Sequence, residues 1–355
     1  MRRAVMLLLG GCAQSLGLSQ PVLVDATNDP DSPPADMQSR CAPRRVGATL
    51  FGSDVSMTAV KTTEGFVVLA IERDQGNLRL QRYTTALEPV DQVPLVVNLA
   101  GSSVAGLADG NRLVIGVLDV DKTRMASIPL ASPSVATSGT TLTDAIAEGD
   151  AILPTQSGNF DVYAAHGTGY FHYGVTSDLN GSSAGPGGGT GGPSAGCVAA
   201  ADNGDIALAC PKLSVGEAYC FTTHISPNGT ALGGFPEACP NISLVQRNGV
   251  AIAVYEKGGG LQLSSWANTA SPGTPVPIAT IPNATQPLID VDPSGIVIAM
   301  RRQGSVYTTR DSTAAPYAPV RLEGMPSPLG FAIARGTTDT VLFVAAADGI
   351  YRACI

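Results

Sequence analysis

The stretch Gly249-Val250-Ala251-Ile252-Ala253-Val254, followed by Leu261-Gln262-Leu263-Ser264-Ser265-Trp266, decides the fold. A turn glycine leads into a continuous apolar run, and a second turn leads into an alternating run. Comparable units occur seven times, with turn glycines assigned at Gly65, Gly110, Gly149, Gly204, Gly249, Gly295 and Gly336. Their spacings of 45, 39, 55, 45, 46 and 41 residues are typical of a repeat that forms one four-stranded sheet.

The two kinds of run predict strands with different surroundings. Continuous Val/Ile/Ala runs are typical of strands packed on both faces, whereas alternating runs have one face in water. The continuous runs are residues 66–70, 113–117, 250–254 and 296–300, and the alternating runs are 78–83, 261–266 and 306–308. Small residues suit the crowded centre of a ring of sheets, and they are Ala105, Gly106, Ala199, Ala200, Ala201, Ala332 and Ala334.

The seventh unit has three strands and lacks a fourth. Its runs are residues 329–334, 341–345 and 350–352, after which the chain stops. Residues 45–51, ahead of the first unit, form an apolar segment with no other partner. We expect this segment to supply the missing strand and so to close the ring.

Over residues 45–355 the chain resembles the β-propeller superfamily in repeat length and strand pattern. No WD dipeptide, sialidase-type Asp box or quinoprotein tryptophan motif is present, and Trp266 is the only tryptophan. The resemblance implies an all-β, seven-bladed β-propeller of four-stranded antiparallel blades. The N-terminal strand and the C-terminal hairpin would close its ring. Six or eight blades, or a two-domain sandwich, are the alternatives.

The first residues have the pattern of an export signal. Met1-Arg2-Arg3 is basic, residues 4–11 are apolar or small, and Cys12 follows. Leu9-Gly10-Gly11-Cys12 resembles the bacterial lipobox, which implies a signal peptide over residues 1–11 and lipidation of Cys12. Ala13 then implies the outer membrane, with the protein facing the periplasm or the cell surface. An ordinary signal or a misassigned start codon is the alternative.

Residues 12–44 are expected to form the lipid anchor and a flexible tether, because residues 28–36 are rich in proline and aspartate. The net charge of −8 argues against nucleic acid and against electrostatic adhesion to anionic lipid. Membrane contact would therefore come from the lipid anchor alone, and we expect a monomer.

The Gly-rich segment 181–196 predicts a flexible surface insertion. No Lys-Ser/Thr follows it as in a P-loop, and no cofactor is expected.

Seven cysteines become six once Cys12 carries lipid, and an even set in an exported chain suggests disulfides. Asn203-Gly204 predicts a two-residue hairpin loop that places Cys197 opposite Cys210. Cys220 and Cys239 flank a second turn and are nearly opposite each other, but they miss an exact cross-strand pairing by two residues. The remaining pair, Cys41 and Cys354, would join the two ends of the repeat region. Six cysteines allow fifteen pairings. The absence of a Cys-x-x-Cys motif and the spacing of the three histidines argue against a metal site.

One segment concentrates side chains suited to ligand binding. Residues 166–173 hold His166, Tyr170, His172 and Tyr173, whose rings could stack on sugars or peptides and exchange protons near neutral pH. The same residues also fit a hairpin with an alternating outer strand.

Two acidic pairs, Asp290 with Asp292 and Asp119 with Asp121, have the spacing of calcium ligands, but turn chemistry explains them better because further ligands are missing.

No reaction motif is recognisable, and no nucleophile-elbow Gly-x-Ser-x-Gly is present. The sequence therefore favours a binding or scaffold module of the cell envelope, with a protein or glycan partner, over an enzyme. The alternative is a hydrolase or lyase acting on extracellular polysaccharide, with carboxylates at the axial funnel. A third reading is a purely structural envelope component without a discrete pocket.

Overall fold

The computed structural model describes residues 41–49, 51–74, 76–119, 122–142, 151–155, 157–166, 169–184, 188–189, 198–202, 205–214, 217–226, 229–235, 241–267, 276–292, 295–311, 317–336 and 339–355. Every secondary-structure element bounded within these ranges is a β-strand. The strands form seven antiparallel sheets across the described residues, six of four strands and one of five.

The first three sheets, numbered in chain order, follow a short strand β1 (Arg44–Gly47). Sheet 1 contains β2 (Val55–Lys61), β3 (Gly65–Glu72), β4 (Gly76–Thr84) and β5 (Leu95–Gly101). Sheet 2 contains β6 (Ser103–Asp109), β7 (Arg112–Asp119), β8 (Lys122–Pro129) and β9 (Thr137–Leu142). Sheet 3 contains β10 (Ala151–Pro154), β11 (Phe160–His166), β12 (Gly169–Val175), β13 (Ser182–Ala184) and β14 (Gly188–Gly189).

The remaining sheets follow the same order along the chain. Sheet 4 contains β15 (Val198–Asp202), β16 (Asp205–Ser214), β17 (Glu217–Ser226) and β18 (Gly229–Phe235). Sheet 5 contains β19 (Ser243–Arg247), β20 (Val250–Lys257), β21 (Gly260–Ala267) and β22 (Val276–Pro282). Sheet 6 contains β23 (Thr285–Asp292), β24 (Gly295–Arg302), β25 (Ser305–Arg310) and β26 (Val320–Arg321). Sheet 7 contains β27 (Gly330–Arg335), β28 (Thr340–Ala346), β29 (Gly349–Cys354) and β1.

The first strand of each sheet contacts the first strand of the next. These contacts run from β2 through β6, β10, β15, β19, β23 and β27, and β27 contacts β2. We call these seven strands the inner strands. We call the side where they begin the start end and the side where they finish the finish end.

The second strand of a sheet is its most buried one, as the continuous apolar runs predict. β3, β24 and β28 are buried over almost their whole length. Their side chains join apolar clusters that extend from one sheet to the next, such as the cluster that holds Val67, Leu69 and Leu113. The sheets therefore pack face to face through Val, Ile and Leu, and this burial is the main source of stability.

Sheet 7 takes its fourth strand from the other end of the chain. β1 pairs antiparallel with β29, with Arg44 opposite Arg352 and Gly47 opposite Ile350. The disulfide predicted between Cys41 and Cys354 is present, with 4.6 Å between the two Cα atoms. This sheet is the seam at which the two ends of the described chain meet.

The third unit corrects two sequence-based assignments. Gly149 lies outside the described residues and ahead of β10, so it does not form the turn between the first two strands. That turn holds Gly158, with φ +81°. The segment 181–196 is not wholly an unpaired loop either, because β13 and β14 pair with β12 as the outer edge of sheet 3.

Candidate functional site

The inner strands present one face to the axis that they surround. Because side chains alternate along a strand, Met57, Ala59 and Lys61 share one face of β2. Phe331, Ile333 and Arg335 share one face of β27 in the same way. These residues are half-buried or exposed, whereas their neighbours Val60, Ala332 and Ala334 are buried between sheets.

A cavity of about 300 Å³ opens at the start end. Its apolar lining comes from Val55, Met57, Val104, Val198, Ile242, Pro287, Leu288, Leu329 and Phe331. Its polar lining comes from Asp54, Ser56, Arg73, Ser103, Asn241 and Gln286. The volume is at the lower limit for small-ligand pockets. A cavity lined by contributions from this many sheets is a natural recognition site.

A bulge shapes one side of this mouth. The register of β23 against β24 shifts between Thr285 and Leu288, and Gln286 has φ +49°. Asn241, ahead of β19, also has a positive φ of +48°. Glu256 bonds both residues, because its Oε1 accepts the Gln286 N–H at 2.8 Å and the Asn241 side-chain amide at 2.9 Å. One carboxylate therefore holds two left-handed residues on the wall of the start-end cavity.

The next part of the wall is built by close backbone contact between sheets 7 and 1. The Val55 N–H donates to the Leu329 carbonyl at 2.9 Å. A Cβ on Gly330 would lie 2.2 Å from the Val55 carbonyl oxygen, so glycine is required there. Between sheets 1 and 2, the Ser56 and Ser103 hydroxyls lie 3.2 Å apart and are buried.

The start-end cavity does not supply a pair of catalytic acids. Among its described lining residues, Asp54 is the only carboxylate, and its carbonyl accepts the Arg73 N–H at 3.0 Å. Hydrolysis of a glycosidic bond by the usual mechanism requires two carboxyl groups across the scissile bond. The described lining of the start-end cavity therefore does not support a two-carboxylate hydrolase at this mouth.

A second cavity, of about 530 Å³, opens at the finish end. It is lined by Ala59, Lys61, Ile289, Asp290, Ile333, Ala334, Arg335 and Gly336. Burial raises the pKa of Asp290, and this outweighs the lowering by the Val291 N–H and by the charge of Arg335. This cavity combines two cations with a largely buried carboxyl group.

The predicted ligand platform does not form part of either cavity as far as its side chains are described. The His172 ring donates an N–H to the Asp161 carboxylate at 2.7 Å and stacks on Tyr163, with ring centroids 5.0 Å apart. Tyr173 is buried in the apolar core of sheets 2 and 3. The backbones of His166 and Tyr170 lie in β11 and β12, but their side chains lie outside the described part. The platform therefore stays a prediction for these two residues.

Asp290, Asp292 and Asp119 are strand residues rather than turn residues. Asp290 and Asp292 are both in β23. Asp292 is buried and pairs with the Arg310 guanidinium at 2.9 Å and with the Thr340 hydroxyl at 3.3 Å. Asp119 ends β7 and bonds Arg124, and its predicted companion Asp121 lies outside the described residues.

The described part of sheet 4 has the strand register that was used to place Cys197 opposite Cys210. Asp202 faces Asp205 and Val198 faces Ala209, as the Asn203-Gly204 loop predicts. Cys197 and Cys239 lie outside the described residues, and nothing describes the side chains of Cys210 and Cys220. In β18, Phe235 lies opposite Cys220. The disulfides Cys197–Cys210 and Cys220–Cys239 stay predictions.

One group of metal-ligand type surrounds the seam. Oδ2 of Asp339 lies 3.5 Å from Cys354 Sγ and 3.9 Å from Cys41 Sγ. Because the two sulfurs are bonded to each other, they offer no thiolate to a metal ion.

Within the described ranges, no helix has the length and apolarity needed to cross a lipid bilayer.

Sequence comparisons do not assign the chain to a family. No family model matches it, and no curated protein sequence is similar to it. Solved structures do share its fold. The WD40 domain of Toxoplasma gondii coronin has 11% identity and a TM-score of 0.54, with 88% of this chain and 85% of that one covered. The Dos1 propeller has 9% identity and a TM-score of 0.53, covering 87% and 83%.

A protein from Lactobacillus plantarum is similar at 13% identity and a TM-score of 0.54, with 79% and 88% covered. At such identities the likeness concerns the fold alone. The chain has a β-propeller fold.

Sequence reasoning missed most residues of the two cavities. Asp290 was singled out, but Arg73, Asn241, Gln286 and Arg335 were not. Each of these four lies within two residues of a strand end, where hydrophobic alternation gives no signal. The small residues Ala105, Ala199 and Ala332 did indicate the innermost strands, but they did not indicate which polar residues converge there.

Proposed function

We propose that this chain is an exported, lipid-anchored, seven-bladed β-propeller that binds another protein of the cell envelope through its start-end cavity. The cavity carries the proposal, because it gathers a mixed apolar and polar lining at one mouth of the ring. An apolar floor with polar groups at its edge is the usual anatomy of a protein-binding hot spot.

A closed ring of seven blades is the architecture that we propose behind this site. It is supported by the cycle of contacts among the seven inner strands and by the pairing of β1 with β29. The Cys41–Cys354 disulfide would fasten the last blade.

We favour a protein over a glycan as the partner. Sugar sites rely on aromatic faces, and the described lining of the start-end cavity holds one aromatic ring, that of Phe331. The apolar residues Leu288, Leu329 and Val104 instead suit an aliphatic or aromatic side chain of a partner protein.

The lipid anchor at Cys12, the tether of residues 12–44 and an outer-membrane location belong to the proposal as well. A Cys12→Ser variant would leave the membrane fraction and would lose incorporation of labelled fatty acid. Retention of both would contradict the anchor.

Site-specific photo-crosslinking in the native envelope tests the binding face. Asp54 is replaced by benzoylphenylalanine, because this exposed residue lines the start-end cavity. Arg321, exposed on the outer strand β26, is replaced in the matched control. One dominant protein adduct from position 54, absent from position 321, supports the proposal. No protein adduct, or equal adducts from both positions, contradicts it.

A further inference from the structure

The finish-end cavity is lined by charged residues that have no role in the proposed function. Its volume of about 530 Å³ is within the range of small-molecule sites. The inner strands β23, β27 and β2 are consecutive neighbours, and each contributes one charged side chain, Asp290, Arg335 and Lys61. The small side chain of Ala59, on the same face of β2 as Lys61, leaves space beside the charged groups.

The two cations suit an anionic group. Lys61 and Arg335 occupy the last positions of the adjacent strands β2 and β27, so both approach the cavity from the same side of the ring. A guanidinium presents paired N–H donors that match the two oxygens of a carboxylate. The ammonium group of a lysine adds a second, more flexible cation.

Asp290 supplies a hydrogen-bond acceptor for the same ligand. One of its carboxyl oxygens accepts the Val291 N–H at 2.7 Å. The other, Oδ2, is buried and has no hydrogen-bond partner among the described residues. A buried acceptor without a donor is unfavourable. Because Asp290 lines the finish-end cavity, a donor on a ligand bound there could satisfy this carboxylate.

We infer that the finish-end cavity binds a small ligand in which a carboxylate lies beside a hydrogen-bond donor, that is, an α-amino or α-hydroxy acid. The carboxylate pairs with Arg335 and Lys61, and the neighbouring ammonium or hydroxyl group donates to Asp290. The assignment does not depend on the start-end cavity or on a protein partner.

Thermal unfolding and isothermal titration calorimetry of the purified full chain test this inference with defined probes. L-Alanine and L-lactate carry both groups, propionate lacks the donor, and alanine methyl ester lacks the carboxylate. The first two should raise the unfolding midpoint by about 2 °C or more at saturation. Propionate should bind at least about 10-fold more weakly, and the ester should not bind. A larger effect of alanine than of lactate would identify the amino acid as the natural class.

Variants locate the site. Arg335→Gln should weaken binding of the preferred acid by about 10-fold or more, and Arg335→Lys should restore part of it. Asp290→Asn should weaken the preferred acid but leave propionate unchanged. Arg321→Gln, on an exposed arginine of the outer strand β26, is the matched control and should bind as the parent does.

The inference is overturned if neither acid shifts the midpoint nor gives a calorimetric signal at about 10 mM, a concentration that would saturate a millimolar site. It is also overturned if the acids bind but Arg335→Gln and Arg321→Gln bind equally well. Folding of each variant is checked by its far-ultraviolet circular dichroism. A failed photo-crosslinking experiment at position 54 would leave this result untouched.

Discussion

The two ends of the inner strands differ in the side chains that they present. At the start end, Met57, Leu288 and Phe331 add apolar surface to a cavity whose polar groups are mostly neutral. At the finish end, the same faces of the strands carry Asp290 and Arg335. One set of inner strands thus produces a partly apolar mouth and a charged mouth, because every second side chain shares a face and the residues near the two ends of that face differ.

The finish end also holds the bonds that join the ends of the chain. The Cys41–Cys354 disulfide lies there with Asp339. The buried Asp292 bonds Arg310 and Thr340 across sheets 6 and 7. The start end is joined by the contacts of Glu256, by the serine pair of sheets 1 and 2, and by the backbone bond from Val55 to Leu329. Because the disulfide and the buried Asp292 ion pair both lie at the finish end, we expect substitutions there to cost more stability than substitutions at the start end.

The largest stability effect is expected for Cys41→Ser. The disulfide joins residues 313 apart in sequence, and a crosslink of that span contributes on the order of 5 kcal/mol in the chain-entropy model. The thermal midpoint should fall by several degrees, measured by calorimetry. Ser53→Ala, near the start end, is the control and should change little. An unchanged midpoint in the cysteine variant would show that the seam does not need its disulfide.

Asp292→Ala should have the next largest effect. Removing a buried carboxylate that pairs with Arg310 typically costs about 3 kcal/mol. Asp54→Ala, an exposed acid at the other end, should stay within about 0.5 kcal/mol. Urea unfolding measures both. Equal losses in the two variants would contradict the concentration of stability at the finish end.

Asp290→Asn should stabilise the protein slightly near neutral pH. Because burial raises the pKa of Asp290 in the folded state, the folded protein binds this proton more tightly than the unfolded chain does. Its contribution to stability therefore decreases as pH rises from the ordinary carboxyl pKa through the raised one. The asparagine variant should unfold about 1–2 °C higher at pH 7, and the difference should shrink as pH falls. A lower midpoint at pH 7 would refute this account of Asp290.

The smallest effect is expected for Asp339→Asn, on the rate at which dithiothreitol reduces the seam. The Asp339 carboxylate beside both sulfurs repels an incoming thiolate and disfavours the leaving one. Reduction should become a few-fold faster in the variant, measured by thiol trapping at several times. A slower or unchanged reduction rate would show that Asp339 does not protect the disulfide.

Local pattern predicted much of this fold. Continuous runs such as residues 66–70 and 296–300 lie in the buried strands β3 and β24, because a strand packed on both faces must be apolar along its length. Local pattern failed in sheet 3, where the turn holds Gly158 instead of Gly149. With that change the glycine spacing becomes 48 and 46 residues in place of 39 and 55. The unequal spacing was itself a sign of the error.

The cavities could not be predicted in the same way. Asp54 and Gln286 are far apart in sequence, and they line one mouth only because sheets 1 and 6 surround the same axis. The bulge at Gln286 has no signal in hydrophobic alternation. The pairing of Gly188–Gly189 with β12 has no signal in the sequence for a related reason, because it depends on an available edge and not on strand propensity.

The central claim, that the apolar start end recognises the partner, is tested most directly by one matched affinity measurement. The protein crosslinked from position 54 is purified, and its Kd is measured for the parent, Leu288→Arg and Lys61→Gln. Leu288→Arg places a charge in the apolar lining and should weaken binding about 100-fold with the fold intact by circular dichroism. Lys61→Gln, at the other mouth, should change the Kd by less than about twofold. Loss of affinity in the Lys61 variant with normal binding by the Leu288 variant would contradict the account and move the recognition surface to the charged end.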